Sequence, residues 1–458
     1  MTVRNIPRRL SLKLLSALSV LGLPLRSARA TEPLFPPERR LDRWHLSQDR
    51  VFLGETVWAN PMEDWHVAGG WAECLVSSPN RSVHSLIHQL VNPDGAFATS
   101  VRLRKPARLS QDGGAGFRFG IKSDLDEYRS NCFAHGSGIN AGILRDRLVL
   151  GHESAPLGRP FESGECYLFL RGTPGEGTRY DLELTATTAE GELLGRVSLQ
   201  AQKQFVGGNL ALVSQFEAPA AGAGGKGKGK ARAAAPQGRR EEEAWAFTDW
   251  RAEGEALCDR PEQHFGIVLW TQYTLSDSRG EEGFVMKLSA LTGPLGREDN
   301  QEVELFVERE GEWQSQGTAL LDPEGWIATF RIPNWDETRD TPYRAVYRER
   351  LRDGGEQVHE WSGRIKANPD GRPLRIAGLT CQNDYAFPYA PVAENLVKLD
   401  PDLLYFSGDQ LYEAHGGYGV IREPAGPAIL NYLRKYYQHG WSFREAMRNA
   451  PTILVTDD

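Results

Sequence analysis

The chain has 458 residues, of which 61 are acidic and 53 basic, giving a net charge of −8. Both signs are interspersed, which leaves no basic stripe for nucleic acid and no polybasic patch for a membrane surface. At this length about three domains of ordinary size are expected, each able to bury its own core. The first thirty residues form a basic start, an apolar run from Leu10 to Leu25 and a small-residue end at Ala28-Arg29-Ala30. That pattern fits a cleaved export signal at residues 1–30, with the mature chain starting near Thr31 in a periplasmic or extracellular space. The run is short for a membrane span, which needs roughly 20 apolar residues, so no span is expected in the mature chain. Arg8-Arg9-Leu10-Ser11-Leu12-Lys13 resembles a twin-arginine signal, although Pro7 stands where Ser or Thr is usual.

From residue 31 to 259 the hydrophobic period is two. Phe97, Thr99, Val101 and Leu103 alternate with small or charged residues, as do Phe117, Phe119 and Ile121, and then Tyr180, Leu182, Leu184 and Ala186. Turn residues such as Asn92-Pro93-Asp94-Gly95 and Asp112-Gly113-Gly114 separate these runs. Many such strands without a helical period predict an all-β jelly roll. The runs Gly208–Val213 and Ala246–Gly254 resemble the closing strands of concanavalin-like or laminin-G-like jelly rolls, a resemblance that implies a domain that either binds polysaccharide as a partner or simply packs against the rest of the protein. Between them, residues 217–243 are rich in Ala, Gly and Lys and are expected to be a disordered insert. Five cysteines, Cys74, Cys132, Cys166, Cys258 and Cys381, are too scattered for a disulfide scaffold and show no zinc-type spacing, although one or two disulfides among the first four would suit an exported protein.

A second β-region is expected over residues 262–366. Val303, Leu305 and Val307 face one way and Glu302, Glu304 and Glu308 the other, while Trp326, Ala328, Phe330 and Ile332 repeat the alternation. About a hundred residues of this kind suit an immunoglobulin-like or fibronectin-like β-sandwich.

Over residues 372–458 the period changes to an α/β pattern. Leu374–Thr380 reads as a strand, Val392, Leu396 and Leu399 share a helix face, and Leu403–Phe406 is an apolar run expected to be buried on both sides. Helices are expected over 426–438 and 442–449, followed by a strand over Thr452–Thr456. This order predicts a parallel sheet whose ligands gather beyond the carboxyl ends of the strands. Cys381 follows the first strand, Asp409 and Tyr412 the second, and Asp457 and Asp458 the third. Carboxylate and phenolate oxygens suit hard cations, and a thiolate with a phenolate suits ferric iron better than magnesium. Gly408 permits the tight turn that would aim Asp409. Glu413 and His415 lie beside this set without an assignable role.

Cys381-Gln382, then Gly408-Asp409-x-x-Tyr412-Glu413, then Pro451 followed by Asp457-Asp458 resembles the PhoD-like alkaline phosphatases of the calcineurin-like metallophosphoesterases. The segment Asp340–Tyr347 resembles a strand of the small sandwich that precedes their catalytic domain. The resemblance implies that Cys381, Asp409, Tyr412 and Asp457 or Asp458 hold ferric iron with a divalent ion, often calcium, and that Asp409 is the bridging, catalytic carboxylate. It further implies an exported metal-dependent phosphatase or phosphodiesterase that hydrolyses a phosphate ester with a metal-activated water. The alternative is a secreted carbohydrate-binding or cell-surface β-sandwich protein with a degenerate phosphatase segment. In the resembled family a histidine follows the third motif and later strands supply more, so this chain is expected to be truncated within the catalytic domain and inactive as given.

Overall fold

Three sheet-containing regions follow one another along the chain. The computed structural model describes residues 36–106, 113–161, 164–217, 245–412 and 416–456. The export signal, most of the 217–243 insert, Glu413, His415, Asp457 and Asp458 lie outside the described residues.

The first region is a pair of antiparallel sheets. One runs in the order Val57–Asn60, Arg81–Leu90, Gly208–Phe216, Gly114–Ile121, Ile139–Leu144, Arg147–Leu150, Glu153–Pro156, with Leu257–Asp259 also on Arg81–Leu90. The other runs Leu193–Gln202, Arg179–Thr188, Gly164–Pro174, Phe97–Lys105, Ala246–Glu253, Trp71–Cys74, Trp65–Ala68. The alternating side chains named above fall inside: Val101, Leu103, Phe117, Phe119, Tyr180 and Leu184 are all fully buried in one core. The Asn92–Gly95 turn forms as expected, with the Asp94 amide donating to Asn92 Oδ1 at 3.1 Å. The region is therefore a two-layer β architecture of the jelly-roll kind.

The second region also has two sheets. Val268–Asp277, Phe284–Thr292 and Ile327–Ile332 make one; Glu312–Leu320, Glu302–Arg309, Thr341–Arg350 and Glu356–Ile365 make the other. Val303, Leu305 and Val307 are buried, and Ala328 and Phe330 meet them from the facing sheet.

The last region carries a parallel sheet of Ile376–Leu379, Leu403–Phe406 and Thr452–Leu454, with Ile376 opposite Leu403 and Leu404 opposite Thr452. Two helices connect the strands, Ala390–Leu399 and Ala425–Met447. Both connections step in the same direction across the sheet, and right-handed crossovers of that kind place both helices on one face. The expectation that Leu403–Phe406 is buried on both sides is therefore corrected. Leu404 and Phe406 are fully buried with Leu396, Leu430 and Phe443, whereas Tyr405 is 37% and Ile453 41% exposed on the other face. Of the three residues expected on the first helix's inner face only Leu396 is buried; Val392 and Leu399 are exposed.

The two expected helices over 426–438 and 442–449 are one 23-residue helix. Gly440 lies between the two expected ranges, and a Cβ there would lie 2.4 Å from the Trp270 ring, so glycine serves close helix-to-sheet approach. Around it Trp441 stacks on Trp58 at 5.0 Å and meets Phe265 at 4.6 Å. All three regions thus contribute to one continuous core, and residues 36–458 cluster as one compact unit.

Candidate functional site

Two strand ends build the centre of the site. The strand Ile376–Leu379 leads into Cys381, and Leu403–Phe406 leads through Ser407 and Gly408 into Asp409. The loops are tied by their backbones: the Ser407 amide donates to Leu379 O at 2.9 Å and the Gln382 amide to Asp409 O at 2.9 Å. Gly408 has φ 112°, as expected of a turn that only glycine enters freely. Cys381 and Asp409 themselves take left-handed backbone with φ 58° and 55°. Such conformations disfavour L-residues and persist where the surrounding structure holds them, a situation common at functional sites.

This geometry brings three of the expected ligands together. The Cys381 thiol donates to Asp409 Oδ2 at 3.3 Å, and the Tyr412 hydroxyl donates to the same oxygen at 2.7 Å. The hydrogen bond to Asp409 is the main reason the Tyr412 phenol is held above its ordinary range; partial desolvation and the negative charge of Asp409 add to it. A thiol, a carboxylate and a phenol converging on one point form a donor set that suits ferric iron. Among the described residues no group of three His, Cys, Asp or Glu side chains is placed to hold a metal, and Cys381 and Asp409 are the two such groups here. Asp457 and Asp458, the third pair expected, lie outside the described residues; the strand before them is anchored to the site by Gln410 Nε2 donating to Val455 O at 2.8 Å.

Sequence reasoning missed the residues behind this centre. A cavity of ≈ 30 Å³ is lined by Tyr412, Gln410, Gln382 and, from the long helix, Lys435, Gln438 and His439. His439 is buried against Phe406 and Phe443, and burial lowers its pKa to about 3, so the ring is neutral. On the sequence it was one more residue in an amphipathic helix, and no spacing marked it.

Two larger depressions lie further out. A cleft of ≈ 400 Å³ runs between Lys122–Ser137 of the first region and Tyr385, Phe387 and Gln438. A groove of ≈ 800 Å³ lies on the jelly roll, lined by Gln200, Gln202, Gln204, Phe205 and His152 among others. The five cysteines are all free thiols, and Cys74, Cys132 and Cys166 are buried without a disulfide. No described helix is long and apolar enough to cross a membrane.

No protein-family model and no curated protein matches the sequence. Among solved structures, a lectin from Bauhinia forficata in complex with GalNAc aligns over 46% of this chain and 97% of its own, at 11% identity and a TM-score of 0.28. Lectin II from Ulex europaeus aligns over 43% of this chain and 91% of its own, at 10% identity and a TM-score of 0.26. A GH2 beta-galacturonidase from Eisenbergiella tayi bound to glycerol aligns over 74% of this chain and 57% of its own, at 11% identity and a TM-score of 0.17. Similarity this low leaves the functional argument to the site itself.

Proposed function

We propose that the chain belongs to an exported, metal-dependent phosphoester hydrolase whose metal centre is built on Cys381, Asp409 and Tyr412. The observation that carries this reading is the convergence of the thiol and the phenol on Asp409 Oδ2, at 3.3 and 2.7 Å, beyond the carboxyl ends of parallel strands. Asp457 and Asp458 complete the donor set in this reading. Ferric iron with a divalent ion, calcium by resemblance, supplies Lewis acidity toward water and the phosphoryl oxygens when bound. The protein's part is to hold Asp409 through the Gly408 turn and to present Cys381 and Tyr412, which give up their protons on loading. The test is to add ferric iron and calcium to the 458-residue protein and measure retained iron and its visible absorption. Iron retention with a phenolate band, lost in Cys381→Ser and Asp409→Asn and perturbed by inorganic phosphate, is expected. A protein that retains no iron overturns the reading.

A second reading, carbohydrate binding by the jelly roll, is favoured by the ≈ 800 Å³ groove, where three glutamine amides and the exposed Phe205 offer hydrogen bonds and an apolar face. Sugars are held by this combination of polar groups and ring contacts. A glycan array with the intact chain is expected to show binding that Phe205→Ala weakens; a blank array removes this reading without touching the first.

A further inference from the structure

The cavity behind Tyr412 has an unusual lining. Gln382 Oε1, Gln438 Nε2 and both ring nitrogens of His439 are buried and hydrogen-bonded to no described group. These atoms come from two elements, the loop after Cys381 and the long helix, and all three residues line one space of ≈ 30 Å³. The other polar neighbours are already engaged: Lys435 Nζ donates to Asn431 Oδ1 at 2.9 Å, and Gln410 Nε2 to Val455 O at 2.8 Å.

Chemistry restricts what can sit there. Gln382 Oε1 needs a donor, Gln438 Nε2 needs an acceptor, and a neutral imidazole needs one of each. An anion could not satisfy Gln382, and a metal cation could not satisfy Gln438. Water does both, and one molecule needs roughly 10–15 Å³ of such space. A dry cavity would leave four buried polar atoms unmet, which native interiors avoid.

We propose that this cavity is a solvent site, with one or two ordered waters held by Gln382, Gln438 and His439, and that through them His439 is a positioning residue for Tyr412. Tyr412 lines the same cavity and donates to Asp409 Oδ2 at 2.7 Å, so water held there adjoins the residue that reaches the carboxylate. The solvent site stands without the metal reading; the positioning role rests on it.

A crystal structure of the 458-residue protein without added metal tests the first part. Solvent density within hydrogen-bond reach of Gln382 Oε1, Gln438 Nε2 and a His439 nitrogen is expected, and an empty or collapsed cavity overturns the proposal. The second part is read from iron titrations. His439→Phe keeps an aromatic ring but bonds no water, and it is expected to weaken iron binding roughly 10–100-fold, as loss of such outer partners does, and to shift the phenolate band. His439→Gln should recover part of both. Gln438→Leu, which leaves the helix's aromatic packing intact, provides the same readouts should His439→Phe not fold. An unchanged band and affinity in a folded variant overturn the positioning role. Wild-type protein without a band removes that role together with the metal reading, while the solvent site is still judged by its density.

Discussion

At the scale of single residues the clearest device outside the candidate site is a buried charge cluster between the jelly roll and the sandwich. His359 Nε2 lies 2.9 Å from Glu349 Oε2 and its Nδ1 3.5 Å from Glu55 Oε2, while Arg50 Nη1 meets Glu349 at 2.9 Å and Asp299 at 3.3 Å. Burial works against charge on His359, but hydrogen bonds to Glu349 and Glu55 outweigh it and raise the pKa. Burial likewise opposes charge on Glu55 and Glu349, yet hydrogen bonds to His264 and His359 lower the first, and His359 together with Arg50 lowers the second. An unfolded His titrates at about 6.5 and an unfolded Glu at about 4.3. The histidine's contribution is therefore complete below about 6.5 and lost as pH rises through its higher native pKa. The carboxylates' contributions are present above about 4.3 and lost as pH falls through their depressed native values. Urea midpoints measured from pH 6 to 9 should fall more for wild type than for His359→Gln; parallel curves would show that the imidazolium is not part of this cluster's stability.

At the scale of elements the long helix decides how the regions hold together. Arg434, fully buried on it, pairs with buried Glu63 of the jelly roll at 3.2 Å and also donates to Gly416 O and Gly417 O. Glu63→Ala leaves that guanidinium uncompensated and should cost about 3–5 kcal/mol in denaturant unfolding, the usual range for breaking a buried pair. Adding Arg434→Met to Glu63→Leu should recover much of it. Gly440→Ala gives an opposite lesson about propensity. Alanine gains about 1 kcal/mol in an exposed helix, but here the new methyl would strike the Trp270 ring at 2.4 Å. Overpacking of this kind costs about 1–3 kcal/mol, so a lowered thermal midpoint is expected, and a raised one would show that Trp270 can swing aside.

At the scale of the whole molecule the open side of the parallel sheet stands out. Ile376, Tyr405, Ile453 and Val455 are exposed there, and parallel sheets are ordinarily covered on both faces. An apolar face beside open strand edges favours self-association. Sedimentation at rising concentration should show association of the wild type that Ile453→Lys reduces; a monodisperse wild type would mean the patch is too small to drive it. Export is the other whole-molecule expectation, checked by N-terminal sequencing of secreted protein, where a start near Thr31 agrees and an intact Met1 does not.

Period-two alternation determined the two β-regions by itself, because a strand with one buried face must place its apolar residues at every second position, as Val303, Leu305 and Val307 do. The motif spacing likewise marked Cys381, Asp409 and Tyr412, since residues just past successive parallel strands reach one edge whatever the loops between them. Which face of the parallel sheet is covered, why Gly440 continues a helix and what His439 lies beside were decided only in three dimensions. Each depends on a partner far away in sequence: the shared direction of two crossovers for Tyr405, the Trp270 ring for Gly440, and the loop carrying Gln382 for His439. A local pattern records whether a residue is buried, not what it is buried against, and that contact is what tertiary packing supplies.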